Sequence, residues 1–199
     1  MNDAYINTDI KKQDFFETIY GALFYPRQTF EEIRQNPPII HALGIVILIS
    51  VLNPIINASF LNNQNLGWFV YSLFSAGLGG IIKWVFFAAF IEALASIFRK
   101  GGNFKIFLAL SAFALLPWVF IGPVTLLKSG GILTGLIGIL FGIAIWVWST
   151  VLTVFAVMKS YEISSGRVLL LISIPLIGAV IFFNWIIGFF TTLTQILKF

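Results

Sequence analysis

Two ionisable side chains, Lys83 and Glu92, fall inside an apolar run long enough to cross a membrane as a helix. A charge held at that depth is costly and often marks an ion or proton pathway. A relay would need the two groups close together, but nine residues along a helix place them on opposite faces, about 13.5 Å apart along the axis. We therefore favour structural roles. Lys83 can extend its amine to the interface, and Glu92 is expected near Arg99 on the same face.

Other residue types that perform chemistry are scarce. There is no cysteine, and the single histidine, His41, has no neighbouring metal-ligand residues, so no metal or cofactor site is predicted. No HExxH, G-x-S-x-G or phosphate-loop motif occurs. Glu92 is the only carboxylate in the predicted spans, which leaves paired-carboxylate catalysis without a second group. The sequence therefore predicts a protein that is not an enzyme.

The composition is that of an integral membrane protein. Hydrophobic residues make up 59% of the 199 residues and charged residues only 10%, whereas about a quarter of the residues of a soluble domain are charged. The predicted fold is an all-α bundle of five spans within residues 37–199, at about 39–60, 67–98, 104–127, 131–157 and 168–190. Residues 1–12 are expected to form a flexible tail.

The second predicted span contains the sequence GLGG at residues 77–80, where the segment could break into two half-spans. A continuous helix over this segment would be about 48 Å long, which exceeds the hydrocarbon thickness of about 30 Å. We predict one tilted or kinked helix that projects from the membrane, because no polar loop interrupts the segment.

Residues 13–36 predict one or two amphipathic helices lying in the headgroup layer on the cytosolic side. Pro26 is suited to the first position of the second helix, where a missing N–H has no cost. Phe30 and Ile33 form a thin apolar stripe there, with Arg27 and Arg34 beside it. These four residues are the candidate contacts for a protein partner or for lipid headgroups.

The basic residues set the expected orientation. Nine of the twelve lysines and arginines fall on the side of the N-terminal region and of the second and fourth connections, against two on the other side. This asymmetry predicts a cytosolic N-terminus and an external C-terminus, in the plasma (inner) membrane if the protein is bacterial. Because the basic residues do not cluster on a soluble face, no nucleic-acid partner is predicted.

A glycine seam runs along the fourth predicted span at Gly131, Gly135, Gly138 and Gly142. Small residues at this spacing let membrane helices approach closely. The partner is either another helix of the same chain, which we favour, or a second copy in a homo-oligomer.

Three segments resemble the Yip family of membrane proteins, named for interaction with Rab-type GTPases. They are YPRQTFEEIRQNPP directly before the first span, GGNFKIFLALSAFALLPWVF at Gly101–Phe120, and IWVWSTVLTVFAVMKSYEISSGRVLLLISIP at Ile145–Pro175. The three segments agree with the family in order and spacing, and together they cover roughly residues 20 to 185. The resemblance is to the bacterial members, because the DLYGP sequence of the eukaryotic relatives is absent.

The resemblance implies a cytosolic N-terminal region, five membrane helices and a non-enzymatic scaffold or adaptor linked to membrane organisation or trafficking. Its partners would be the lipid bilayer and a protein at the N-terminal helices. The alternative is a small transporter or channel that uses Lys83 and Glu92. A transporter would be expected to contain an internal repeat or paired broken helices. The sequence offers only one candidate break, GLGG, without a clear counterpart.

Overall fold

A computed structural model describes residues 15–60, 65–97, 102–128 and 131–170, together with the single residues 173, 177, 185, 186 and 192. Its elements are α1 (Phe15–Phe24), α2 (Pro26–Gln35), α3 (Ile39–Phe60), α4 (Leu66–Ile97), α5 (Phe104–Ala114), a 3-10 segment (Leu116–Phe120), α6 (Ile121–Lys128) and α7 (Ile132–Tyr161). Residues 165–170 are also helical. Within these ranges there is no strand, as the all-α prediction required.

Four helical stretches are long and apolar enough to cross a membrane. They are Ile39–Ile56, Leu66–Ile97, Phe104–Leu127 and Ile132–Tyr161. The first four predicted spans each have a counterpart among them. The fifth, at about 168–190, lies almost wholly outside the described residues, as does the predicted tail at 1–12, so a count of five spans stays a prediction.

The glycines of α4 allow a close helix contact and do not break the helix. α4 is continuous over 32 residues, and Gly80 lies against α3. A Cβ atom built on Gly80 would be 1.8 Å from Ser50 Oγ and 2.6 Å from Ser50 Cβ. Helices in lipid associate through such close packing, because the lipid tails are as apolar as the side chains themselves.

The third span changes from α-helix to 3-10 helix next to Pro117. α5 ends at Ala114 and the chain continues as a 3-10 turn, in which Trp118 N–H donates to Leu115 O at 2.9 Å. This switch leaves the Ala114 carbonyl without its usual helical donor. Ser149 Oγ on α7 donates to that carbonyl at 2.9 Å and accepts from Trp118 Nε1 at 3.2 Å. The carbonyl freed at this change of helix type is therefore satisfied by a polar side chain from a neighbouring span.

The two ends of the bundle differ in chemistry. Near the start of α4, Trp68 and Tyr71 are exposed with ring centroids 5.6 Å apart, as expected where a helix meets a headgroup layer. α4 and α7, about 48 and 45 Å long, both exceed the hydrocarbon thickness of about 30 Å. The opposite end, which we call the polar end, carries Glu31, Arg34, Glu92, Lys159 and Glu162.

Candidate interaction site

Helix α2 stands parallel to the last turns of α7, with a constant offset of 128 residues. Three contacts share this offset: Arg27 with Phe155, Glu31 with Lys159, and Arg34 with Glu162. The Arg27 guanidinium lies 5.5 Å from the centroid of the Phe155 ring, within range of a cation–π interaction. α2 therefore runs along the α7 axis, and this arrangement differs from the expected helix lying flat in the headgroup layer.

Glu31 is the centre of the ion pairs between α2 and α7. Its Oε2 accepts from Lys159 Nζ at 2.6 Å, and its Oε1 accepts from Arg34 Nη1 at 3.2 Å. Arg34 also pairs with Glu162, just beyond the end of α7. The hydrogen bond from Lys159, followed by the charges of Lys159 and Arg34, lowers the pKa of Glu31 below its ordinary value. Because exposed pairs each contribute little energy, their main effect is to fix the register.

The apolar stripe of α2 is covered by the protein itself. Phe30 and Ile33 have no exposed surface and belong to the same buried core as Ala22 of α1. The sequence analysis expects the stripe to contact lipid headgroups or a protein partner, but an apolar pattern does not reveal whether lipid, a partner or the chain itself will cover it. Gly21 lets α1 and α2 approach closely, because a Cβ there would be 2.4 Å from Thr29 Oγ1. The two helices form a hairpin packed on the bundle.

The outer surface of this hairpin is aromatic. Phe16, Tyr20, Phe24 and Tyr25 are 56–74% exposed, and we call them the aromatic face. The rings of Tyr20 and Phe24 are 4.8 Å apart, and those of Tyr20 and Tyr25 are 6.3 Å apart. The sequence signal was the spacing of Phe16, Tyr20 and Phe24 at every fourth residue, which lies on one side of a helix.

Two depressions border the aromatic face. One, of about 330 Å³, is lined by Tyr25, Arg27, Phe155 and their neighbours, and the other, of about 260 Å³, by Glu17, Tyr20 and Gln28 among others. Of the four predicted interaction residues, Arg27 is therefore at an accessible surface and Arg34 is engaged in ion pairs. Phe30 and Ile33 support the hairpin from beneath.

Glu92 joins three helices at the polar end. Its Oε2 accepts from the Tyr161 hydroxyl at 2.7 Å, and its Oε1 accepts from the backbone N–H of Gly102. The ends of α4 and α7 and the residues before α5 are thereby tied together. Arg99, the neighbour expected from the sequence, lies outside the described residues. Sequence reasoning missed Tyr161, because its partner is 69 residues away along the chain.

Lys83 does not approach Glu92, in agreement with the helical geometry. Its side chain is exposed and lies beside a cavity between α3, α4, α5 and α7. No hydrogen bond or ion pair to Lys83 is found within the part of the chain that the structure describes. The same ranges contain no group of three or more His, Cys, Asp or Glu side chains that could hold a metal ion.

The glycines of the predicted seam differ in burial, and Gly131 is exposed. Gly138 is buried, while Gly135 and Gly142 are half-buried. A Cβ on Gly142 would lie 3.9 Å from Val124 of α6, an ordinary contact distance. Gly131 precedes α7 with φ of +112°, a conformation that favours glycine. Gly142 thus faces α6 of the same chain, whereas packing along the whole seam and a homo-oligomer interface there both stay predictions.

The four long apolar helices identify this protein as a multi-pass helical membrane protein. The family model for the Yip1 domain matches residues 20–187 of this chain. The chain belongs to the Yip1 domain family, which confirms the resemblance seen in the sequence. Members of this family are generally non-enzymatic membrane proteins that interact with other proteins. Neither a curated protein nor a solved structure matches the chain.

Proposed function

We propose that this protein is a non-enzymatic membrane scaffold or adaptor linked to membrane organisation or trafficking. The observation that carries the proposal is the exposed aromatic face on a hairpin held to α7 at three points of common register. Such a hairpin presents its outer residues in a fixed geometry, so little conformational freedom is lost when a partner binds.

The residue types on this surface suit a protein partner. Tyrosine and arginine are enriched among the residues that dominate binding energies at interfaces, and Tyr20, Tyr25 and Arg27 are exposed side by side here. Glu17 and Glu32 line the neighbouring depression and add polar groups around the aromatic rings. This arrangement resembles an interface patch with an aromatic centre and a polar rim.

We further propose that the polar end lies in the cytosol, with the C-terminus outside. The excess of basic residues on this side supports this orientation. A reporter inserted near Gly101 should then be active only in the cytosol, and one fused after Phe199 only outside. Activity of both reporters on the same side would contradict a five-span topology.

Photo-crosslinking in native membranes tests the partner proposal. A photoreactive amino acid replaces Tyr20, which is 56% exposed. In the matched control it replaces Tyr71, which is 60% exposed and lies near the start of α4, away from the polar end. We expect a defined protein adduct from position 20 and lipid adducts alone from position 71. Lipid adducts alone at both positions would overturn the adaptor assignment.

A second arm asks whether the aromatic face itself recognises the captured protein. With the photoreactive group moved to Gln28, the double substitution Tyr20→Ser and Tyr25→Ser should reduce that adduct by a factor of about ten or more, since truncating an aromatic residue at the centre of an interface typically costs about 2 kcal/mol. Tyr71→Ser serves as the control. Equal adduct yield in both variants, at equal protein abundance, would show that the aromatic rings are not the recognised feature.

A further inference from the structure

A cavity of about 280 Å³ lies between four helices, apart from the hairpin. Ile49 and Phe87 form part of an apolar wall, and the polar groups are contributed by Lys83, Ser50, Ser111 and Thr153. Ligand sites in proteins commonly combine an apolar lining with a few convergent polar groups. Phe87 and Lys83 are exposed on the side of α4, so the cavity opens laterally.

The hydroxyl groups around the cavity already use their protons. Ser50, Ser111 and Thr153 each donate to a backbone carbonyl of their own helix, at 2.7, 3.0 and 2.8 Å respectively. Ser111 Oγ also accepts from Trp84 Nε1 at 3.0 Å. The ammonium group of Lys83 therefore supplies the hydrogen-bond donors that remain free at this cavity among the described residues.

The depth of Lys83 makes a free ammonium group costly. Lys83 lies 15 residues beyond Trp68, about 22 Å along α4, when Trp68 marks one interface. It is thus inside the hydrocarbon layer of about 30 Å, close to its boundary at the polar end. A lysine there without a partner is disfavoured, although less than one at the centre of the bilayer. Glu92 cannot compensate, because it lies on the opposite face of α4, about 13.5 Å away along the helix axis, where it binds Tyr161 and Gly102.

We propose that the cavity binds the phosphate group of an anionic membrane lipid. The ammonium group of Lys83 donates to a phosphate oxygen, which neutralises the charge where water is scarce. The acyl chains leave through the lateral opening beside Phe87 and rejoin the bilayer. A lipid suits the site better than a soluble anion, because the opening is at hydrocarbon depth and the lining is mostly apolar.

Native mass spectrometry of the full chain, purified in mild detergent, tests the site. Phosphatidylglycerol and phosphatidylethanolamine are added separately, and the retained lipid is counted on the parent, Lys83→Gln, Lys83→Arg and Lys105→Gln. We expect phosphatidylglycerol to be retained by the parent and by Lys83→Arg, and to fall at least about tenfold in Lys83→Gln, the effect of losing one charge-assisted hydrogen bond. Lys105, exposed at the start of α5, is the matched control and should retain the parent level.

A second variant, Thr153→Leu, narrows the cavity but keeps Lys83 in place. Retention should fall in this variant also, with an unchanged elution volume as evidence of a normal fold. A loss in Lys83→Gln alone would mean that Lys83 meets headgroups outside the cavity, which overturns the proposal. Displacement of the lipid by millimolar inorganic phosphate would indicate a soluble-anion site instead. Unchanged lipid retention in Lys83→Gln would also overturn the proposal. Because Lys83 is exposed, this substitution leaves the core undisturbed.

Discussion

The polar end and the membrane-spanning middle of this protein are held together by different forces. At the polar end, α2 and α7 are joined by ion pairs around Glu31. In the middle, α3 and α4 meet where Gly80 lies directly against Ser50. The difference follows from the solvent. Charges are tolerated where water reaches them and can specify register there, whereas helices in hydrocarbon associate through close fit. Stability in the middle should therefore respond to volume, and stability at the polar end to charge and pH.

Gly80→Ala should have the largest effect. The added methyl group would overlap Ser50 Oγ and Cβ, forcing α3 and α4 apart, and overpacking of this kind typically costs about 1–3 kcal/mol of unfolding free energy. We expect a clear decrease in the thermal unfolding temperature of the protein in detergent.

Gly79→Ala is the matched control, because a Cβ on Gly79 has no atom within 4 Å. Adding Ser50→Gly to Gly80→Ala should restore much of the stability, since it removes the overlapping atoms. Equal stability of the Gly79 and Gly80 variants would show that α3 and α4 do not depend on this close fit.

Reversing one charge at the polar end should have a smaller effect, confined to the hairpin. Glu31→Lys places three cations, including Lys159 and Arg34, in one cluster, and an exposed pair is worth no more than about 1 kcal/mol. A spin label at Gln28 should report increased mobility of α2. The double exchange Glu31→Lys and Lys159→Glu should bring the mobility back towards the parent value; failure to do so would mean that the Glu31–Lys159 pair does not position α2.

Acidification should loosen the same contact. Because docking lowers the pKa of Glu31 below its ordinary value of 4.5, the stabilisation is fully present above that pH and is lost as pH falls through the lowered pKa. Mobility of the Gln28 label should thus be constant from pH 7 to pH 5 and rise in stronger acid. Glu31→Gln, which lacks the titrating group, should abolish this rise, and an identical profile in both proteins would contradict its assignment to Glu31.

Gly142→Ala should have the smallest effect. The new methyl group meets Val124 at an ordinary contact distance, so the unfolding free energy should change by no more than about 0.5 kcal/mol. Chemical crosslinking in membranes measures whether self-association changes. A homo-oligomer that is lost on this substitution would mean that the seam serves a second copy and not α6.

Local features of this fold could be predicted from the sequence, whereas contacts between distant segments could not. Helix α4 was predicted as one continuous helix, since apolar residues run through its glycines, and Pro26 begins α2 as expected. The pairing of Glu31 with Lys159 depends on how the bundle brings two remote segments together. The burial of Phe30 and Ile33 was missed for the same reason: their spacing defines a face but not its cover. At the candidate site, the exposure of Arg27 could be predicted from the sequence. Its contact with Phe155 of α7 could not.

The offset of 128 residues between α2 and α7 also has a consequence for biosynthesis. At about 5–20 residues per second, α2 leaves the ribosome roughly 6 to 26 seconds before its α7 partners do. During that interval the buried core to which Phe30 and Ile33 belong still lacks its α7 residues, and the amphipathic spacing of α2 suits a temporary position at the bilayer surface. We therefore expect nascent chains arrested before Phe155 to hold α2 in the headgroup layer, and its transfer onto α7 to be a late step of assembly.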